Sequence, residues 1–422
     1  MFKKPLLIFL LFSISALAQS DNKELLNYIN KLEAKLEKYE KKLSAVDQEI
    51  KKIKSTHSEA VNHYIREEVK AYLSQNENYL TLNSVSKEIT LKGDLRIRYE
   101  RRSRDTKRSD DSRDRFRQRF RLGFTWKSDD TPWLISAGFA TGDSSATSTN
   151  DTYSDGGAFE TGDLRLDYAF AQRNFYNDFT LTIGQQKNPF ISSGILWDGD
   201  VRPVGVSLKY KGENFFLLTG AYDVIHVGND ANNAFLYAIQ AGVNLNKFTS
   251  ALTYYHFTDA LTSDKASELS GLPENIDEDL EFHTLTFYNE YSFKLQDEID
   301  IKLYAELAIN LHAEGQKGFG SEGNNLDPDK NEHYFALGGS IKYKKFKFKY
   351  NYAYFESDSI YGGLKDSDFV TSNFRTGVKG HKIGLEYSLS KNVTLGSTLY
   401  IVDEINGSES LNQLELDILY KF

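Results

Sequence analysis

Charged residues, arginines among them, alternate with apolar ones in three stretches of this sequence, 94–100, 115–126 and 163–168, a spacing that places the charges on one face of a β-strand. The second stretch has arginine at positions 115, 117, 119 and 121, with Phe116 and Phe120 between them. Because side chains along a strand point alternately to its two faces, the guanidinium groups form a row. A row of fixed positive charges attracts anions but supplies neither a nucleophile nor a general base. The residues that we predict for this basic wall are Arg96, Arg98, Arg117, Arg119, Arg121 and Arg165.

The segment 185–206, QQKNPFISSGILWDGDVRPVGV, is too apolar for a loop fully exposed to solvent. Trp197 and its apolar neighbours favour a packing surface, whereas Asp198, Asp200 and Arg202 favour water. We therefore expect the loop to fold against the inside of a β-barrel, with the two aspartates facing the basic wall. Opposed rows of charge would create a transverse field there. The alternatives are a surface loop with its own apolar cluster, arginines that only solvate the lumen, and aspartates that only stabilise the loop.

Motifs for catalysis or metal binding are weak. Residues 318–323 match G-x-G-x-x-G, but polar loop residues follow in place of a helix. Residues 327–338 begin like a calcium loop, yet Glu332 and Gly338 occupy the positions that require Gly and Glu. The chain has no cysteine, and its eight histidines are scattered without a metal-binding spacing. We predict no enzyme activity, catalytic residue, metal ligand or cofactor. An outer-membrane enzyme is disfavoured because no nucleophile and histidine cluster is recognisable.

Amphipathic segments typical of β-strands follow one another from residue 88 to the C-terminus. We predict about sixteen antiparallel strands that close into a transmembrane barrel, because a single meander of this length without helices closes more easily than it forms two layers. Connections alternate between short turns and long polar loops, the latter centred near Lys107, Ser148, Leu196, Gly228, Ser270, Gly320, Gly363 and Asn406. The predicted strands begin near residues 88, 112, 131, 160, 177, 201, 213, 234, 247, 280, 297, 331, 345, 378, 391 and 411.

The N-terminal quarter of the chain has a different character. Residues 1–18 have two lysines, an apolar run and Ala16-Leu17-Ala18, which predicts a secretory signal peptide. Between positions 21 and 75, apolar residues recur in steps of four and three, which indicates a coiled-coil helix. Residues 76–87 have the composition of a linker, and residues 88–422 form the predicted barrel. An even number of strands places the helical arm and the C-terminus together in the periplasm.

Several of these stretches resemble bacterial outer-membrane porins, in particular the group called "Putative porin" and, more loosely, the anion porins with basic ladders. They are LKGDLRIRYE at 91–100, QKNPF at 186–190, WDGDVRPVGVSLKY at 197–210 and the terminal Phe422. The resemblance implies a sixteen-stranded barrel, commonly a homotrimer, whose third external loop folds inward to constrict the pore. It also implies that the terminal aromatic residue is read by the barrel-assembly machinery. A coiled-coil arm is not part of the common pattern.

These observations predict a water-filled channel for passive diffusion of small hydrophilic solutes and ions through the outer membrane. Its partners would be membrane lipid, two further copies of the chain and, through the coiled coil, peptidoglycan or a periplasmic protein. A net charge of −9 argues against nucleic-acid binding. Two alternatives remain open, namely an anchor that tethers the envelope through the coiled coil and a channel selective for one sugar or anion.

Overall fold

The computed structural model divides the chain into two compact units, Met1–Ser84 and Val85–Phe422. The residues that it describes are 23–54, 88–105, 110–129, 131–142, 145–154, 157–159, 161–176, 178–226, 233–258, 281–295, 298–313, 318–319, 325–326, 331–371, 376–405 and 407–422.

The first unit contains one described helix, α1 (Lys23–Lys54). Tyr39, Leu43 and Val46, three members of the predicted apolar seam, are exposed on it by 49%, 72% and 49%. Among the helical residues described, none forms a segment that is both long and apolar enough to cross a bilayer. The predicted signal peptide, the predicted linker and residues 55–75 of the predicted helix lie outside the described residues. The coiled coil therefore stays a prediction.

The second unit is a closed antiparallel barrel of sixteen strands, as the sequence predicts. Each predicted strand start lies within four residues of the observed one, because alternation and turn residues are local signals. The strands are β1 (Ile89–Asp105), β2 (Asp110–Lys127), β3 (Trp133–Thr141), β4 (Leu164–Phe175), β5 (Phe179–Gln185), β6 (Val204–Lys211), β7 (Phe215–Ile225), β8 (Ala234–Leu245), β9 (Phe248–Thr258), β10 (Phe282–Leu295), β11 (Ile299–Asn310), β12 (His333–Tyr343), β13 (Phe346–Phe355), β14 (Val378–Ser388), β15 (Val393–Glu404) and β16 (Ser410–Lys421).

The barrel closes where β1 pairs with β16, from Asp94 opposite Lys421 to Asp105 opposite Ser410. Two main-chain hydrogen bonds between Gly93 and Phe422, of 2.9 and 3.0 Å, extend this seam to the last residue. Glycine is required at position 93, because a Cβ there would lie 2.4 Å from the Phe422 ring and 2.6 Å from the Arg121 carbonyl oxygen. The ring of Phe422 stacks on Phe120 at 6.2 Å.

Connections at one end of the barrel are short, down to the two-residue turns 246–247 and 344–345. Asn246 and Lys344 have φ values of 54° and 52°, the left-handed conformation that tight hairpins need. Long connections lie at the opposite end, as predicted, with two exceptions. The connections near Lys107 and Asn406 span only 106–109 and 405–409, because the strands that they join extend further than the local pattern indicates.

Apolar side chains cover the outside of the barrel, which is the reverse of a soluble protein. Leu303, Leu307 and Leu337 are more than half exposed, whereas lumen-facing Glu306, Gln413 and Thr253 are fully buried. Aromatic pairs mark the short-turn end, for example Phe179 with Tyr210 at 5.0 Å and Phe346 with Tyr387 at 4.8 Å. Further pairs, such as Tyr99 with Phe116, lie toward the other end. An apolar band flanked by aromatic rings is the exterior of a barrel embedded in lipid.

Candidate functional site

Arg98, Arg117 and Arg119, three members of the predicted basic wall, are buried on the lumen face of β1 and β2. Most of its charge is balanced by carboxylates of the neighbouring strands. Arg98 contacts Glu415 at 2.5 Å and Asp417 at 2.7 Å, while Arg117 contacts Glu100 at 3.3 Å and Arg119 contacts Asp94 at 2.8 Å. The wall is therefore a network of ion pairs, and its capacity to attract anions depends on which guanidinium groups keep surplus charge.

Arg96 is the member of this wall with the least compensation among the described residues. Its Nη2 donates to the side chain of Asn150, its buried Nε has no hydrogen-bond acceptor, and no described carboxylate forms an ion pair with it. Arg96 is half-buried and lines the cavity described below, and a guanidinium without a carboxylate partner keeps its full positive charge.

The remaining predicted cations lie beside the wall. Arg121 pairs with Asp94 at 2.8 Å and reaches Asp200 at 3.5 Å. Arg165 donates to the carbonyl oxygen of Ser148 at 2.6 Å. Arg202 contacts Asp167 at 3.1 Å across the lumen side of β4. These three side chains support the loops of this region and do not line the cavity described below.

The segment 186–203, which we call the third loop, folds into the bore as predicted. Its main chain is held on the opposite wall, where the Ile191 amide donates to Gln240 at 2.9 Å and the Ser193 amide donates to Glu306 at 3.2 Å. Phe190 and Trp197 lie 5.9 Å apart, and each ring packs against Tyr255 at 5.5 and 5.9 Å. The apolar half of the loop thus has the packing surface that its composition requires.

A second loop also enters the bore, and this loop was not predicted from the sequence. Residues 356–377, the seventh loop, bury Tyr361, Lys365 and Phe369 almost completely. Tyr361 packs on Phe257 at 4.7 Å, and the Asn310 side chain donates to the Asp358 carbonyl oxygen at 2.8 Å. The signal was present in the sequence, since this loop has isolated apolar residues within a polar stretch, as the third loop does.

The two loops are joined to each other by main-chain hydrogen bonds. The Asp198 amide donates to the Leu364 carbonyl oxygen at 2.6 Å, and the Asp366 amide donates to that of Ile195 at 3.0 Å. Together with lumen residues of the later strands they form one buried apolar cluster. The sequence predicted a water-filled bore. In the structure, apolar packing occupies the part of the bore that is bounded by the later strands.

Acidic side chains of both loops face the basic wall. Asp198 accepts from the Ser367 amide at 3.1 Å, and Asp200 accepts from Thr149 at 3.0 Å. Burial raises the pKa of Asp198 to about 7, and the neighbouring Asp366 and Asp200 carboxylates add to the shift. Burial also acts on Asp368, but Arg98, Gln413 and Arg102 outweigh it and lower the pKa of that carboxyl to about 2.

A cavity of about 490 Å³ lies between the wall and the loops. Eight cationic and seven acidic side chains line it, so local arrangement rather than net charge must decide ion preference. Glu100, Asp368 and Glu415 converge there within 4.8 Å of one another, among arginines that already neutralise them. The lining charges are Arg96, Arg98, Arg102, Arg115, Arg117, Arg119, Lys349, Lys382, Asp198, Asp200, Asp366, Asp368, Glu386, Glu415 and Asp417.

The sequence matches the family described as "Putative porin" over residues 103–281 and 279–422, which together include most of the chain. The chain belongs to this porin family. As a porin it is a channel protein of the bacterial outer membrane, through which small hydrophilic solutes diffuse passively. No curated protein matches the sequence. Family membership and the barrel both indicate a channel.

Solved porin structures resemble this porin loosely. A mutant of Rh. blastica porin is 12% identical, with a TM-score of 0.47 over 79% of this chain and 100% of the other. OmpT of Vibrio cholerae without loop L8 is 12% identical, with a TM-score of 0.46 over 79% and 100%. OpdQ of Pseudomonas aeruginosa is 9% identical, with a TM-score of 0.47 over 80% and 98%. The architecture of this porin rests on its own strand register, independently of these likenesses.

Proposed function

We propose that solutes cross this porin through the arginine-lined cavity, and that the third and seventh loops form its constriction. The observation that carries the proposal is the pair of hydrogen bonds that joins the loops in the bore, at Asp198 with Leu364 and Asp366 with Ile195. The joined loops present Asp198, Asp200 and Asp366 toward a wall of arginines. A transverse field across a narrow aqueous passage orders water and sorts solutes by charge.

The arginine wall gives the passage a preference for small anionic solutes, and Arg96 contributes most to it. Arg98, Arg117 and Arg119 are each held by at least one carboxylate, whereas Arg96 is held by the neutral Asn150. An unpaired charge contributes its full Coulomb potential, while a close ion pair acts as a much weaker dipole. The predicted wall residues are thus unequal in effect, although they share one face.

Replacement of Arg96 tests this proposal. We expect Arg96→Ser to lower the anion-to-cation permeability ratio about sixfold to fifteenfold. One charge about 5 Å from the permeating ion contributes roughly 0.8 kcal/mol in water, partly screened by salt, and it acts in opposite senses on anions and cations. The measurement is the reversal potential of single channels in a planar bilayer under a KCl gradient. Arg101→Ser is the matched control, because Arg101 lies on the same strand but is exposed on the outer face.

The double variant Arg117→Ser and Arg119→Ser tests whether the basic wall as a whole sets the ion preference. Glu100 retains Arg115 at 2.7 Å and Asp94 retains Arg121 at 2.8 Å, so neither acid is left without a partner. A reversal potential identical to that of the unmodified channel in both the double variant and Arg96→Ser contradicts the basic-wall proposal.

We further propose that the helical arm extends into the periplasm as a coiled coil of the porin trimer and contacts peptidoglycan or a periplasmic protein. The supporting observation is the exposed seam of Tyr39, Leu43 and Val46 on α1, since a narrow apolar stripe on a charged helix favours association. Deletion of residues 21–75 should leave single-channel conductance unchanged and reduce co-sedimentation of the porin with cell-wall material. Conductance lost with the arm, or attachment kept without it, contradicts this role.

A further inference from the structure

Three of the scattered histidines meet on the outer surface of the barrel, at the end with the long connections. His256 on β9 lies directly opposite His283 on β10, with the rings 4.2 Å apart. His312 follows the end of β11, and its ring lies 4.3 Å from that of His283. Glu281 precedes β10, and its Oε2 lies 2.9 Å from His283 Nε2 and 3.8 Å from His312 Nδ1.

The chemistry of this cluster is that of a transition-metal site. Glu281, His283 and His312 each offer one ligand atom, and these atoms all lie within 4.8 Å of one another. Around a tetrahedral zinc ion with bonds of about 2.0–2.1 Å, ligand atoms are about 3.3 Å apart. Small side-chain rotations therefore suffice to bring the three atoms to bonding distance. Imidazole and carboxylate are the ligands that Zn²⁺ and similar first-row ions accept together.

Two further observations point to a ligand. His283 Nδ1 lies 3.0 Å from the Tyr254 hydroxyl, an outer partner that fixes the ring and leaves Nε2 for a metal. The buried Nδ1 of His256 has no hydrogen-bond partner among the residues that the structure describes, although a buried polar atom normally has one.

We propose that Glu281, His283 and His312 bind a divalent transition-metal ion of the zinc class, with the His256 ring beside the site. The ion would link the long-connection ends of β10 and β11, which border the connections 259–281 and 311–332. The ion would thus crosslink the ends of neighbouring strands at the rim of the barrel, outside the solute passage. The metal site lies apart from the arginine-lined cavity. Its test therefore does not depend on whether the proposed route of solutes is correct.

The test is titration of the detergent-solubilised full-length porin with ZnCl₂ by calorimetry, after removal of metal with a chelator. We expect one saturable site per chain, and a loss of affinity of at least about tenfold in His283→Gln and in His312→Gln. His381→Gln is the matched control, since His381 also lies on a strand and bonds a tyrosine hydroxyl at 2.9 Å, but on β14. Its zinc affinity should equal that of the unmodified porin.

Cobalt provides a second readout that does not depend on affinity. Co²⁺ bound by the cluster should show the visible absorption of a tetrahedral ion, and His283→Gln should abolish it while the heat-modifiable mobility of the folded barrel on a gel persists. Zinc bound equally by the unmodified porin and both ligand variants overturns the proposal, as does Co²⁺ absorption that survives His283→Gln.

Discussion

The charge of the proposed constriction should change with pH, because burial raises the pKa of Asp198 into the neutral range. Burial and the nearby Asp366 carboxylate raise the pKa of Asp198 to about 7. Its ionised fraction therefore rises from about 10% at pH 6 to about 90% at pH 8. This adds about 0.8 of a negative charge where the two loops join. The sign follows directly: higher pH favours cations and disfavours anions.

The size of the effect follows from the distance to a permeating ion. A unit charge about 5 Å away contributes roughly 0.8 kcal/mol at the dielectric constant of water, and physiological salt screens part of that energy. The local concentration of a monovalent cation should then rise about twofold to threefold, with an equal fall for anions. We expect the K⁺-to-Cl⁻ permeability ratio to increase about fourfold to ninefold between pH 6 and pH 8.

The assay is the reversal potential in a planar bilayer under a KCl gradient at both pH values. Asp198→Asn should remove most of the change, because the amide keeps the size of the side chain without its charge. Asp200→Asn, in the same loop, should keep a change with pH but move it to lower pH, because the Asp200 carboxylate contributes to the raised pKa of Asp198. A permeability ratio that is constant with pH, or a change that persists in Asp198→Asn, refutes the reasoning.

Two further predictions concern packing and closure. Trp197→Ala removes the ring that packs against both Phe190 and Tyr255 and should cost about 3–5 kcal/mol of local stability. Single-channel recordings should then show larger and noisier conductance, and unchanged recordings would contradict packing of the third loop in the bore. Removal of Phe422 deletes both main-chain hydrogen bonds to Gly93 and the ring contact with Phe120. Folding into liposomes, followed by heat-modifiable gel mobility, should slow markedly, whereas Phe422→Tyr should fold at the normal rate; equal rates for both would contradict a role in closure.

The sequence by itself determined the barrel and the faces of its strands. In β1, the alternation of Leu95 and Ile97 with Arg96 and Arg98 is enough to assign lipid and lumen sides, because a strand has a side-chain period of two. Turn residues and apolar patterning are likewise local, so the strand starts and the inward third loop were predictable. Apolar residues in the seventh loop carried the same signal, but its depth in the bore depends on contacts with β9 and β10.

Only the tertiary structure decided which charges remain available and which distant residues meet. The sequence presents Arg96 and Arg98 alike, yet the register of β1 with β16 places Glu415 and Asp417 beside Arg98 and leaves Arg96 to Asn150. Register also gathers His256 on β9, His283 on β10 and His312, just beyond the end of β11. Interactions across a sheet depend on the register between neighbouring strands. The spacing of residues along the chain does not contain that register.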